Sequence, residues 1–435
     1  MSEKLSAASD DVSWSLVCYA GDEQIGMVSV IRHDGATGKT TVKALDTETA
    51  DSVNSRPVFI NTTQDDQVAM LDPVSKQIYI QNTFPAIARP DHMYRDVDKA
   101  QLWLGNDGDK DTGNDALNCG ENGSSVTVIQ NDVQADKLDV PAKVLTTLCV
   151  GRGHHVTTFT FPSSLAPATP RRAFVSNLMD GTISVVGNDP ADAATYLKVI
   201  ATINLCEPVR EKNGITGVPN NAAPHGMVYS PLTGKVYNMN NGYGTIAVID
   251  PLTNSVEDSI YVGTSTNALL SPDGRFIVCK GADRKSDENH VIGKITVLDV
   301  VTKAVSETMD LVDVYPSVYR FSADGKKLYL TTASTGNKTQ KVNLKMNALL
   351  VFDSSALPML RLSKEVIVGV ADCGRRPIAF LEQDGVFTRT FVSNPTEGTL
   401  SVLDGDEQVL ETVTVSAQPV PALHFYSDEG RLLGA

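Results

Sequence analysis

The segment RAFVSNLMDGTISVV, Arg172 to Val186, returns near the other end of the chain as RTFVSNPTEGTLSVL, Arg389 to Leu403. A repeat of this length constrains the fold more than any composition can, because self-similarity at a distance marks one supersecondary unit used again. A third copy, KVYNMNNGYGTIAVID from Lys235 to Asp250, keeps the spacing from an aromatic to a glycine: Phe174 to Gly181, Tyr237 to Gly244, Phe391 to Gly398. Each copy reads as a strand, a turn built on Asn and Gly, and a second strand that alternates apolar with small polar residues.

Extending the third copy both ways gives four strands between His225 and Gly263: HGMVYSP, KVYNMNN, TIAVIDP and SVEDSIYVG. Comparable units cover 67–151, 154–208, 267–313, 316–369 and 376–417, and SPDG at Ser271, SADG at Ser322 and EQDG at Glu382 supply tight Asp-Gly turns between their first two strands. A head from Trp14 to Thr47 and the tail PALHFYSDEGRLLGA remain, enough together for one more unit. The expectation is an all-β chain, residues 1–435 forming one seven-bladed β-propeller of four-stranded blades. Its ring is closed by N- and C-terminal strands sharing one blade, which removes the exposed edges that chain ends otherwise leave. Residues 84–123 interrupt the first complete unit and read as a lid over the channel. The strands FVSN and VYNMN resemble the aromatic-Val-Thr-Asn strand of YVTN-type seven-bladed propellers, over nearly the whole chain; that resemblance implies a fold and leaves the activity open.

Composition narrows the partners. With 435 residues, 41% of them hydrophobic, there is ample material for a core. A net charge of -15 argues against a phosphate-binding surface, hence against nucleic acid and anionic membranes, and leaves small cations and neutral or cationic partners. No apolar run is long enough to span a bilayer, and the first residues lack the pattern of a secretory signal, so the chain as written reads as cytoplasmic, or as periplasmic if it is a processed mature form. Six cysteines include no C-x-x-C pair, which excludes a zinc knuckle and a dithiol redox motif; in an exported protein Cys119 is open to a disulfide.

In a propeller the first strand of each blade lines the channel, so residues at its entry converge on the axis from distant parts of the chain. The entries are His154-His155, His225, Asn267, Ser317, Arg376 and His424, and they hold four of the seven histidines. Imidazoles gathered on one rim suit copper, zinc, iron or nickel, and equally well satisfy backbone carbonyls and water in a channel. His92, in the 84–123 segment, is a candidate fifth metal ligand, and Trp103 and Tyr94 beside it are candidate substrate contacts. Arg375 and Arg376 suit an anionic substrate or an internal carboxylate. Asp107, Asp109, Asp111 and Asp115 alternate as calcium ligands do, although no Glu follows at the bidentate position, and a solvated acidic turn fits as well. No catalytic residue is assigned.

The segment GHHVTTF resembles the double-histidine stretch of the copper propeller of nitrous oxide reductase, and thiocyanate dehydrogenase likewise gathers channel histidines round its coppers. The resemblance implies copper, oxidoreduction, and ligands at His154, His155, His225 and His424. This chain has fewer rim histidines than either family and no separate electron-transfer copper domain, so a mononuclear or smaller site is expected. The favoured function is a metal-dependent oxidoreductase, copper first among metals, acting on a small-molecule substrate with an electron-transfer protein as partner. Two alternatives stand beside it: a lactonase-like hydrolase, and a non-catalytic propeller that holds a protein partner or noncovalent haem, covalent attachment being excluded by the lack of C-x-x-C-H.

Overall fold

Successive side chains of a strand leave opposite faces, so a strand with a sheet on either side is buried at every position. The middle strands of the repeats behave this way: Arg172–Asn177 and Thr182–Gly187, and likewise Lys235–Asn240 and Thr245–Asp250, are buried almost throughout. The fourth strands Ser255–Tyr261 and Val409–Thr414 are mostly exposed. Units with two buried middles and one wet edge stack face to face with their fourth strands outward.

The computed structural model describes residues 11–18, 27–34, 39–46, 52–54, 58–62, 67–72, 77–83, 90–98, 100–106, 119, 124–130, 142–211, 214–335, 343–372, 376–383, 386–415, 419–427 and 432–434. Among these the strands form eight antiparallel sheets, seven of four strands and one of five. We number them in chain order. Sheet I joins Asp11–Cys18, Met27–Asp34 and Lys39–Asp46 to Pro419–Ser427 and Leu432–Gly434, with Trp14 opposite Phe425. Sheets II to VIII span 52–83, 90–150, 154–204, 224–261, 267–312, 316–367 and 378–414. The 3-10 turn Pro208–Arg210 lies between sheets IV and V, and among the described residues no helix is long and apolar enough to cross a membrane.

First strands of successive sheets lie side by side. Ser52–Asn54 of sheet II sits between Pro419–Ser427 of sheet I and Pro90–Arg95 of sheet III, and the same relation continues through His154–Thr160, Pro224–Ser230 and Asn267–Leu270. Pro316–Phe321 of sheet VII meets sheet VI through Phe276–Asp283 and meets Ile378–Gln383 of sheet VIII, which returns to Pro419–Ser427. The arrangement is propeller-like, and the sharing of sheet I by N- and C-terminal strands matches the expectation.

The sheet count does not match: eight sheets stand where the repeat suggests seven. The stretch 67–151 is more than one unit. Gln67–Asp72 and Gln77–Thr83 are the last two strands of sheet II, and the supposed lid, 84–123, contains Pro90–Arg95 and Gln101–Asn106, the first two strands of sheet III. Long connections at 107–123 and 131–143 stand where sheet V has short turns, so the period is hidden in this part of the chain.

The core lies between neighbouring sheets. Trp103, Val126 and Val128 of sheet III pack on Ala173, Val175 and Val186 of sheet IV; Phe174 and Val185 of sheet IV face Met227, Val236 and Ile249 of sheet V. Equivalent layers join V to VI, VI to VII and VII to VIII. Buried hydrogen bonds cross the same boundaries: Tyr229 Oη donates to the Phe161 carbonyl at 2.6 Å, Ser230 Oγ to that of Gly274 at 2.6 Å and Tyr319 Oη to that of Val278 at 2.9 Å. The repeated FVSN/GT pattern has a local cause. Asn177 Nδ2 donates to Thr182 Oγ1 and Ser184 Oγ at 2.9 and 3.0 Å, and Asn394 Nδ2 does the same to Thr399 and Ser401 at 3.0 and 2.9 Å. Each amide thereby ties the end of a second strand to the third. A Cys119–Cys149 disulfide pins the 107–123 connection to the last strand of sheet III.

Candidate functional site

First strands III, IV, V and VII share a defect at their entry. Pairing in sheet III runs from Pro90 opposite Asn106 to His92 opposite Gly105; in sheet V it runs from Pro224 opposite Asn240 to Gly226 opposite Met239, which leaves His225 as the extra residue. Sheet IV shifts between His154 and Thr157, and sheet VII between Pro316 and Tyr319. A bulge interrupts the ladder and re-aims the side chains around it. His92, His155 and His225 therefore occupy irregular entries of three consecutive sheets, and His154 opens the middle one opposite Asn177.

His92 and His225 belong to the same neighbourhood although sheet IV stands between their strands. Burial lowers the pKa of His225 below its usual value; the charges of Lys280 and then of His92 push the same way, and a hydrogen bond to the Thr266 backbone opposes them. The imidazole is thus neutral at pH 7, the form that coordinates metals. His92 lies flat against Tyr94, ring centroids 6.4 Å apart and 10° from parallel. The side chains of His154, His155 and His424 lie outside the described residues, and among the described ones no group of three or more His, Cys, Asp and Glu side chains is assembled for a metal. The backbone alone moves His424 away from its expected place. Its strand begins at Pro419, so His424, opposite Ser15, is well inside the strand rather than at its entry.

Other predicted site residues are located less favourably for binding. Trp103 is fully buried in the layer between sheets III and IV, its ring centroid 5.4 Å from that of Phe159 in an edge-on arrangement and its Nε1 donating to Gln101 Oε1 at 2.9 Å, so no face of the indole is open to a substrate. Tyr94 packs against the same layer. Arg376 is also fully buried, and its guanidinium donates to the carbonyls of Met346, at 2.8 Å, and Gly369 while its N–H reaches Ser317 Oγ at 2.7 Å. It ties sheet VII to sheet VIII through these carbonyls. Arg375 and the calcium candidates Asp107, Asp109, Asp111 and Asp115 lie outside the described residues. His290 pairs with Asp313 at 2.7 Å in the connections that flank the third strand of sheet VI and its neighbour.

The sequence reading missed Lys280 and Thr266. Lys280 is 8% exposed; its Nζ donates to the Pro316 carbonyl at 3.3 Å and stands 5.3 Å from the centre of the Tyr319 ring. Thr266 donates to the Lys280 carbonyl through N, at 2.7 Å, and through Oγ1, at 3.3 Å. Aligning FIVCK, Phe276 to Lys280, with AFVSN, Ala173 to Asn177, would have shown a lysine where the repeat carries asparagine.

No family model and no curated protein matches this chain. Solved structures do, at low identity. The dihydro-heme d1 dehydrogenase NirN is similar over 98% of this chain and 78% of its own, with a TM-score of 0.61 and 12% identity. Hydrazine synthase of Kuenenia stuttgartiensis is similar over 81% of this chain and 97% of its own, at a TM-score of 0.52 and 14% identity. A Bacteroides fragilis protein provisionally named a 6-phosphogluconolactonase follows the same course over 86% of this chain and 99% of its own, at 0.50 and 12%. The sheets and these likenesses define the class: the chain is a β-propeller. At such identities the likeness concerns the fold.

Proposed function

We propose that the chain is a closed, eight-bladed propeller with YVTN-type repeats that holds a transition metal, copper by preference, on imidazoles at the entries of sheets III to V, and acts there as an oxidoreductase on a small molecule. The observation that carries this reading is the placing of His92, His154-His155 and His225 at the irregular entries of three consecutive sheets. The donor set fits: neutral imidazole nitrogen suits copper and its first-row neighbours, and bulged entries aim side chains out of the ladder. Bound there, the metal supplies Lewis acidity or an electron relay. His92 and His225, with His154 and His155 between them, would hold it, while the Thr266 backbone fixes the orientation of the His225 ring.

A second reading places noncovalent haem on the same imidazoles, since one histidine suffices as an axial ligand. It draws support from the likeness to NirN, named as a dihydro-heme d1 dehydrogenase. The lactonase-like alternative has the Bacteroides fragilis likeness in its favour. The Cys119–Cys149 disulfide favours an oxidising compartment, hence the periplasmic form of the chain. Calcium on Asp107, Asp109, Asp111 and Asp115 and an electron-transfer partner complete the proposal.

Elemental analysis and a visible spectrum of wild type, His92→Ala and His225→Ala test it together. Expected are a first-row metal in wild type and its loss in both variants, with a Soret band marking haem instead of a bare ion. Full metal content in both variants overturns the reading, as does a wild type that takes up neither metal nor haem.

A further inference from the structure

The second strand of sheet VI breaks a pattern that its neighbours keep. The residue opposite the first position of the first strand is polar and neutral in four sheets: Asn106 faces Pro90, Asn177 faces His154, Asn240 faces Pro224 and Thr332 faces Pro316. In sheet VI the residue is Lys280, facing Asn267. The fold therefore does not require a cation at this depth, and burying an ammonium is costly unless charge or dipoles compensate it. The Pro316 carbonyl and the face of Tyr319 are among the partners of Lys280. Tyr319 turns its hydroxyl away, to the Val278 carbonyl, so the ring face is what Lys280 meets.

The strand paired with Lys280, Asn267–Leu270, packs against Pro224–Ser230, the strand of His225. Thr266 binds the Lys280 carbonyl on one side and the His225 ring on the other. Gly226 lets the two strands approach: a Cβ there would lie 2.6 Å from Asn267 Oδ1 and 2.8 Å from the Ala268 nitrogen. In a chain of net charge -15, a buried lysine near the entry of sheet V is a local inversion of the field.

We propose that Lys280 is the anion-recognition residue of the axial site, so that its substrate is a small oxyanion or carries a carboxylate, held between Lys280 and the His225 side of the entry. This rests on the reading above that a small molecule binds at the histidines, and names its charge. The mode of contact is a charge-assisted hydrogen bond from Nζ, which loses roughly tenfold to a hundredfold in affinity when the ammonium is removed.

The test is calorimetric titration of the protein as isolated with sodium sulfate and, separately, sodium acetate at constant ionic strength. Lys280→Asn installs the residue that three other sheets carry here, so the fold accommodates it, and Lys280→Arg keeps the charge. Expected are saturable binding of at least one anion by wild type, a loss of tenfold or more in Lys280→Asn, recovery in Lys280→Arg, and unchanged metal content in all three. Equal binding by wild type and Lys280→Asn overturns the proposal, as does a wild type that binds neither anion. Metal lost in His225→Ala with anion binding indifferent to Lys280 removes this proposal alone. Lys280-dependent anion binding in a protein that takes up no metal or haem removes the metal reading alone.

Discussion

At Gly226 a single hydrogen in place of a methyl group sets how closely sheets V and VI meet at the axis. Gly226→Ala drives a Cβ into Asn267 Oδ1 and the Ala268 backbone, and backbone cannot step aside as a flexible side-chain end does. The expected cost is about 1–3 kcal/mol, read as a lower urea midpoint with unchanged slope. Cys279 is an opposite case, fully enclosed between sheets V and VI with burial pushing its thiol up to about 12. Alkylation followed by peptide mass mapping is expected to leave Cys279 unmodified in native protein and to label it only after unfolding. Residues of this kind show where sequence is legible and where it is not. His225 and His154 are readable because a strand entry has a position in a repeat. Trp103 and Arg376 have the right chemistry for binding, but only packing reveals that both are fully buried, one sealed in a layer between sheets.

The unit of this fold is the second strand, turn and third strand, and its lock is the asparagine amide. Asn177→Ala removes both bonds to Thr182 and Ser184 and strands two buried hydroxyls, so it is expected to destabilise by roughly 1–3 kcal/mol, with Asn394→Ala similar by equilibrium unfolding. The strand-turn-strand unit was legible because its parts lie within a few residues of one another, while the lock itself appears only in the structure. Sheet III was illegible for the converse reason: its strands are separated by long connections, so neighbours in space are not neighbours in the repeat. The connections bring their own chemistry. Asp313 bonds to His290 and holds the imidazole pKa above its usual value. A raised folded value means the pair's contribution is complete below the ordinary imidazole pKa of about 6.5 and disappears as pH rises through the folded one. Asp313→Asn should therefore cost more stability at pH 6 than at pH 8.5, in paired urea titrations; an equal cost at both pH values would contradict the assignment.

Across the whole molecule, distant parts of the chain meet in two ways. The terminal strands share sheet I, and Cys119–Cys149 closes a loop with a sequence separation of 30. Chain entropy assigns that closure roughly 3–4 kcal/mol, so reduction is expected to lower the melting temperature measurably; no shift on full reduction would mean the bond does not constrain the unfolded chain. Beyond these, stacking sheets III, IV and V side by side brings histidines far apart in sequence to adjacent bulged entries, the proposed functional site. X-ray absorption at the metal edge of the loaded protein measures it directly. Two or more imidazole nitrogens at about 2.0–2.1 Å in wild type, fewer in His92→Ala and in His225→Ala, is the predicted result, and an identical shell in wild type and both variants would contradict it.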